Sequence, residues 1–165
     1  MVADPIDWFF HHGAGVASST LLRTAAIRAV GGWNADLDSA EDSMLFSLVA
    51  LEGRWLHAAG EPVEFHYGNA ALDGEEANLS ARYHDALLRW AGVYEQVYAA
   101  VGDRYPRLRR HRLRDGVAAY WYRAGKQLER QGRADEARAC YTQAIRWKPS
   151  MFRAWKRRWQ AKNAA

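Results

Sequence analysis

Between Leu79 and Val101, eight apolar side chains fall three or four positions apart: Leu79, Tyr83, Leu87, Trp90, Tyr94, Val97, Tyr98 and Val101. An α-helix turns once in about 3.6 residues, so this spacing predicts a long amphipathic helix whose apolar stripe other elements must cover. The charge changes sign where that stripe ends. Residues 1–100 hold five basic and fourteen acidic side chains, net −9, whereas residues 101–165 hold eighteen and five, net +13. The overall charge of +4 hides a chain made of two electrically distinct pieces.

Such a helix has ample material to pack against. Hydrophobic residues make up 49% of the 165 and aromatic ones 13%, a composition that excludes an intrinsically disordered chain. Charges break every apolar stretch well short of the ~20 residues a bilayer crossing needs. Asp4 and Asp7 stand before Trp8, where a signal peptide would have basic residues and then an apolar core. The expected location is the cytoplasm, including its membrane-peripheral zone. Cys140 is the single cysteine, which excludes an intramolecular disulfide and a Cys-pair metal or redox centre; in a helical stretch it reads as a small buried hydrophobe.

Ala14–Arg23 is small or β-branched and predicts a short buried strand. Thr24 caps a helical turn over 25–30, which Gly31-Gly32 stops because glycine adopts the left-handed conformation at little cost. Ser39-Ala40-Glu41-Asp42 opens a helix marked by Met44, Leu45, Leu48 and Val49 and running up to Gly53. Residues 54–58 and 62–67 read as extended segments, and 68–77 as loop. Pro106 ends the long helix or opens the next. Six arginines (Arg104, Arg107, Arg109, Arg110, Arg112 and Arg114) surround His111, after which the pattern is helical to the end.

Within that helical part, Trp121, Gly125, Leu128, Gly132, Ala137, Tyr141, Ala144 and Pro149 stand at offsets that resemble the tetratricopeptide repeat. The resemblance implies a helix-turn-helix of about 34 residues over 118–151, with its turn at Gly132–Glu136 and a protein as partner. Ala124 departs from the family's usual leucine. A solitary repeat cannot bury its own apolar face, so it must borrow neighbours. The 79–101 helix and a last helix bearing Phe152, Trp155 and Trp159 are the available ones.

In the first half, four segments succeed one another: Ser18-Ser19-Thr20-Leu21-Leu22-Arg23, Val30-Gly31-Gly32-Trp33-Asn34, Ala40-Glu41-Asp42 and Pro62-Val63-Glu64-Phe65-His66. Over roughly residues 6–80 this order resembles the C-terminal half of family 2 glycosyltransferases, whose GT-A fold is built on a Rossmann-like sheet. The resemblance implies a partial α/β domain at 1–75, joined by the amphipathic helix at 76–103 to a basic helical region at 104–165. It also implies inverting transfer from a nucleotide-sugar to a glycan or lipid-linked acceptor. Asp42 would be the base that takes the acceptor's proton, Glu41 would contact the acceptor, and Gly32 and Trp33 would line the acceptor side. A carboxylate at a helix start is held ionised and directed, which suits a base. His66 matches a family histidine near the diphosphate or its metal, although Glu64 and Phe65 stand where a basic residue usually precedes it. The complete enzyme would use a divalent cation, Mg or Mn. From the residues alone, Glu41 and Asp42 are equally first-turn acids, with Asp42 completing a capping box to Ser39.

His11-His12 and Gly13-Ala14-Gly15 make no metal site or dinucleotide fingerprint, since adjacent histidines on a strand diverge and the third glycine is Ser18. The arginine-rich segments raise an anionic membrane surface as a partner, and nucleic acid is not expected. Two functions from different classes stand: a glycosyltransferase fragment that supplies the acceptor side and the base, and a non-catalytic interaction module of the tetratricopeptide type. The family grips its cation with an Asp-x-Asp, whereas Asp4 and Asp7 are three apart, so the donor half is expected to be missing from these residues. Without a cation to offset the departing diphosphate, the largest electrostatic contribution to such a transfer is lost. The 165-residue protein is therefore expected to leave nucleotide-sugars intact, and measurable turnover by the purified chain would overturn that expectation.

Overall fold

Asp4 and Pro5 start a helix in the computed structural model, which describes residues 1–12, 19–37, 40–61, 85–101, 104–107 and 110–163. The Asp4 carboxylate accepts the Asp7 backbone N–H at 3.1 Å, and proline at the first helical position gives up an N–H that would have had no partner anyway. Helix α1 (Pro5–His12) buries Ile6, Phe9 and Phe10. Helix α2 (Thr24–Ala29) closes on Gly31 and Gly32, at φ 86° and 80°. The Gly32 N–H donates to the Ile27 carbonyl at 2.9 Å and the Gly31 N–H to the Arg28 carbonyl at 3.2 Å, the paired bonds of a Schellman closure. Thr24 lies inside α2, whose N-cap is Arg23 with no side-chain cap.

Helix α3 (Glu41–Val49) starts from Ala40, which takes the left-handed conformation at φ 61° with no side-chain cap. Its Leu45, Phe46 and Val49 are buried, and Ser47 satisfies its buried hydroxyl by donating to the Ser43 carbonyl at 2.7 Å. Trp55 packs its ring edge-on to Phe9 at 4.8 Å and tilted to Phe46 at 5.9 Å. These contacts make the core of the first unit, Met1–Ala86.

No strand occurs among the described residues, which overturns the α/β, Rossmann-like expectation for the first half. Residues 19–23 and 54–58 are irregular or turn-like; 14–18 and 62–67 lie outside the described residues. A backbone bond between separate segments, from the Val2 N–H to the Trp55 carbonyl at 2.9 Å, makes no ladder among the described residues. A strand exists only as part of a ladder, and apolar or β-branched composition marks a half-buried surface rather than a backbone preference. Here aromatic packing supplies that burial, with Trp55 covered by side chains of α1 and α3. His11 and His12 likewise end a helix rather than sit on a strand, and His11 Nδ1 bonds the Asp7 carbonyl at 2.9 Å.

Among the described residues of the second unit, Leu87–Ala165, four helices occur: α4 (Ala86–Val101), α5 (Arg110–Arg130), α6 (Ala134–Trp147) and α7 (Phe152–Asn163). The stripe read from the sequence is buried along α4 through Tyr94, Val97 and Val101; 79–84 lie outside the described residues. Tyr94 stacks on Tyr120 of α5 at 4.0 Å, and Tyr98 meets Trp147 of α6 edge-on at 4.9 Å. Beside them the Glu95 carboxylate accepts both indole N–H groups, Trp121 at 2.8 Å and Trp147 at 2.5 Å.

Between α5 and α6 the chain turns at Gly132, φ 76°, where Gly132 N–H bonds Glu129 and Arg133 N–H bonds Leu128, at 3.1 and 3.0 Å. Asp135 and Glu136 occupy the first turn of α6, where the helix dipole favours them. The two helices touch where Gly125 lies under the ring of Tyr141; a Cβ at 125 would sit 2.6 to 3.0 Å from three ring carbons. Ala118, Ala144, Ile145, Met151 and Ala154 form a further buried cluster that seats α7 against the hairpin.

Gly92 on α4 has nothing near its would-be Cβ, so Gly92→Ala is expected to stabilise the fold by about 0.5–1 kcal/mol through helix propensity. Gly125→Ala makes the same helix gain but drives a methyl into a fixed ring, and a net loss of about 1–2 kcal/mol is expected. Urea unfolding followed by circular dichroism checks the pair, and shifts of the same sign would contradict the packing argument. Glu95→Ala leaves two partly buried indole donors without their acceptor and is expected to cost about 1–2 kcal/mol, with Glu95→Gln costing less because its amide oxygen still accepts.

Candidate functional site

In the first unit, the loop that follows the glycine closure of α2 runs beside α3. Gly32 and Trp33 line an open groove of about 290 Å³ with Asn34, Met44, Leu45 and Leu48. The loop is held by its own polar contacts: Asn34 accepts the Asp36 N–H at 2.9 Å and turns its amide nitrogen to Met44 Sδ at 3.8 Å. Trp33 stays half exposed. Glu41 and Asp42 are in the first turn of α3 but do not line this groove. The Asp42 carboxylate instead accepts the N–H and hydroxyl of Ser43, at 2.6 and 3.3 Å. The structure thus brings Gly32 and Trp33 to one groove and leaves the two carboxylates outside its lining. His66 and Ser39 lie outside the described residues. Among the described residues no three His, Cys, Asp or Glu side chains are grouped to hold a metal.

In the second unit, three acids of the basic half, Asp115, Glu129 and Glu136, form ion pairs within the unit, while Asp135 is exposed. Asp115 pairs with Lys148 at 2.7 Å, and Glu136 with Arg133 at 2.6 Å, which holds the Glu136 carboxyl below its usual range. Glu129 receives Arg157 of α7 at 3.1 Å and the Tyr141 hydroxyl at 2.5 Å. Burial first, then that bond to Glu129, pushes the Tyr141 phenol well above its ordinary value. Burial also pushes the Cys140 thiol up to about 11, with the charge of Glu136 adding to it. A thiol so raised is protonated and weakly nucleophilic at neutral pH, which fits its expected place as a small buried hydrophobe.

Several basic and aromatic side chains face solvent. Arg123, Lys126 and Arg130 lie three and four apart on α5, each exposed or half-buried. On α7, Arg153 sits over the Tyr122 ring at 4.6 Å and Arg158 over Trp155 at 5.9 Å, while Lys156 is exposed. Sequence reasoning flagged the basic runs but missed Glu95 and Glu129, the acids that order this surface. The available signal for Glu95 was a single carboxylate between the buried tyrosine and valine of an apolar stripe, at Tyr94 and Val97.

No described helix is long and apolar enough to cross a membrane. Residues 118–150 match the tetratricopeptide repeat family, and the matched stretch is the α5–α6 hairpin closed at Gly132. That match bears out the resemblance read from Trp121 to Pro149 and gives none to a glycosyltransferase. Comparison with curated proteins and with solved structures returns no match.

Proposed function

We propose that residues 87–165 serve as a protein-interaction module that captures an acidic peptide segment along the solvent side of α5. The observation that carries the reading is the family match over 118–150, because repeats of this kind generally bind other proteins. Two features of the fold support it. The hairpin has the neighbours a solitary repeat lacks, with α4 covering one side and α7 the other, so its surface is presented by a packed unit. Asp115, Glu129 and Glu136 are engaged in internal pairs, while Arg123, Lys126 and Arg130, exposed or half-buried along α5, form a cationic row whose attraction is for an anionic ligand. Glycosyl transfer has only the sequence resemblance behind it, and the sheet that resemblance implied is absent among the described residues.

Fluorescence anisotropy of the full chain with labelled acidic, neutral and basic peptides tests this. Saturable binding of acidic peptides with a Kd on the order of micromolar is expected, weakening as salt is raised. The double variant Lys126→Glu/Arg130→Glu should weaken it by about tenfold or more with an unchanged circular dichroism spectrum. Equal binding of acidic and basic peptides, or no saturable binding, would sink the proposal.

A further inference from the structure

We infer that the outward face of α7 seats on an anionic lipid surface. Phe152, Trp155 and Trp159 fall three and four positions apart, and they are 80%, 46% and 67% exposed. On the same helix Ala154 and Ala161 are buried, so α7 carries two apolar stripes and only the small-residue one is covered. The Trp155 indole N–H donates to the Pro149 carbonyl at 2.9 Å, which leaves its ring outward with the polar hydrogen already satisfied. Large aromatic rings on one side of a cationic helix suit an interface between water and acyl chains.

Charge selects the occupant. Residues 137–165 contain eight basic side chains and no acidic one, with Arg153, Lys156, Arg157, Arg158 and Lys162 on α7 itself. A second copy laid on this face would set Lys156, exposed beside the rings, and Arg158, over Trp155, against their own image, so self-association is disfavoured. Packing argues against a stacked helix as well. Trp155 lies 34 residues after Trp121 and Trp159 lies 34 after Gly125, one repeat length in each case. Gly125 is the position that admits the Tyr141 ring to the backbone of α5. Trp159 fills the corresponding place on α7, so no helix can seat there as α6 seats on α5. A lipid surface needs no such gap; it needs rings to insert and cations to meet headgroup phosphates and carboxylates. This inference uses a different helix face from the peptide reading and does not rest on it.

Co-flotation of the full chain with vesicles of phosphatidylcholine, alone or mixed with phosphatidylserine, tests it. Binding is expected to the mixed vesicles, at least about tenfold stronger than to phosphatidylcholine alone and reduced by salt. Phe152→Ser/Trp159→Ser should abolish flotation, and Lys156→Glu should weaken it by about tenfold. Both changes fall on exposed residues, so the thermal melt should stay put and acidic-peptide affinity should be retained. Failure of the mixed vesicles to float the chain overturns the inference, as does flotation that survives the double variant. Capture by single-stranded poly(U) or by an acidic helical peptide through Phe152 and Trp159, without vesicle binding, overturns it in favour of another class of partner.

Discussion

The ring of Tyr141 lying against the bare backbone of Gly125 sets the separation of α5 and α6, and the rest of the second unit is built around that distance. Any side chain at 125 would push the helices apart and open the layer of small residues formed by Ala124, Ala137 and Cys140. The same tyrosine reaches further through its hydroxyl, which donates to Glu129; Glu129 in turn holds Arg157 of α7. One aromatic residue thus links the spacing of the hairpin to the placement of the next helix. Burial, and then the bond to Glu129, holds its phenol above the ordinary range, so the donor to Glu129 is protonated at neutral pH.

Glu95 plays the matching part on the other side. A carboxylate partly withdrawn from water needs strong compensation, and two indole N–H donors from different helices supply it. The bond pair ties α4 to both members of the hairpin and orients Trp121 and Trp147, whose faces then cover the cluster that receives α7. The functional consequence is electrostatic. Asp115, Glu129 and Glu136 are occupied by internal cations, so the surplus of basic side chains faces outward. Both surfaces proposed for binding are products of that segregation, one along α5 and one on α7.

The first unit shows where sequence reasoning stops. The closure of α2 at Gly31-Gly32 was legible because it needs only local geometry, two glycines with φ near +80° to +86° and two backbone bonds. The start of α1 carried an equally local signal in Asp4-Pro5, followed by Asp7, and it was read only as the absence of a signal peptide. The strands were different. Their expectation came from residue type, whereas a ladder depends on a second segment arriving alongside, and Trp55 finds its cover among Phe9 and Phe46 instead. For the same reason Gly32 and Trp33 meet Met44 and Leu48 in a groove that does not take in Glu41 or Asp42. Those four residues were grouped by order along the chain, which carries no information about which side of α3 the loop would pass.

By itself the sequence determined the periodic features: the apolar stripe of α4, the glycine turn at 132, the small residue at 125, the burial of Cys140 and the split of charge near residue 101. Each of these is set by local backbone geometry or by counting, so no distant partner is needed to read it. Only the tertiary structure decided which of the two apolar stripes on α7 is buried. Met151 and Ala154 fit the layer beside Ala144, and Phe152, Trp155 and Trp159 do not. Helical spacing defines a face without saying what will stand opposite it, and that choice belongs to the close packing of helices distant in sequence.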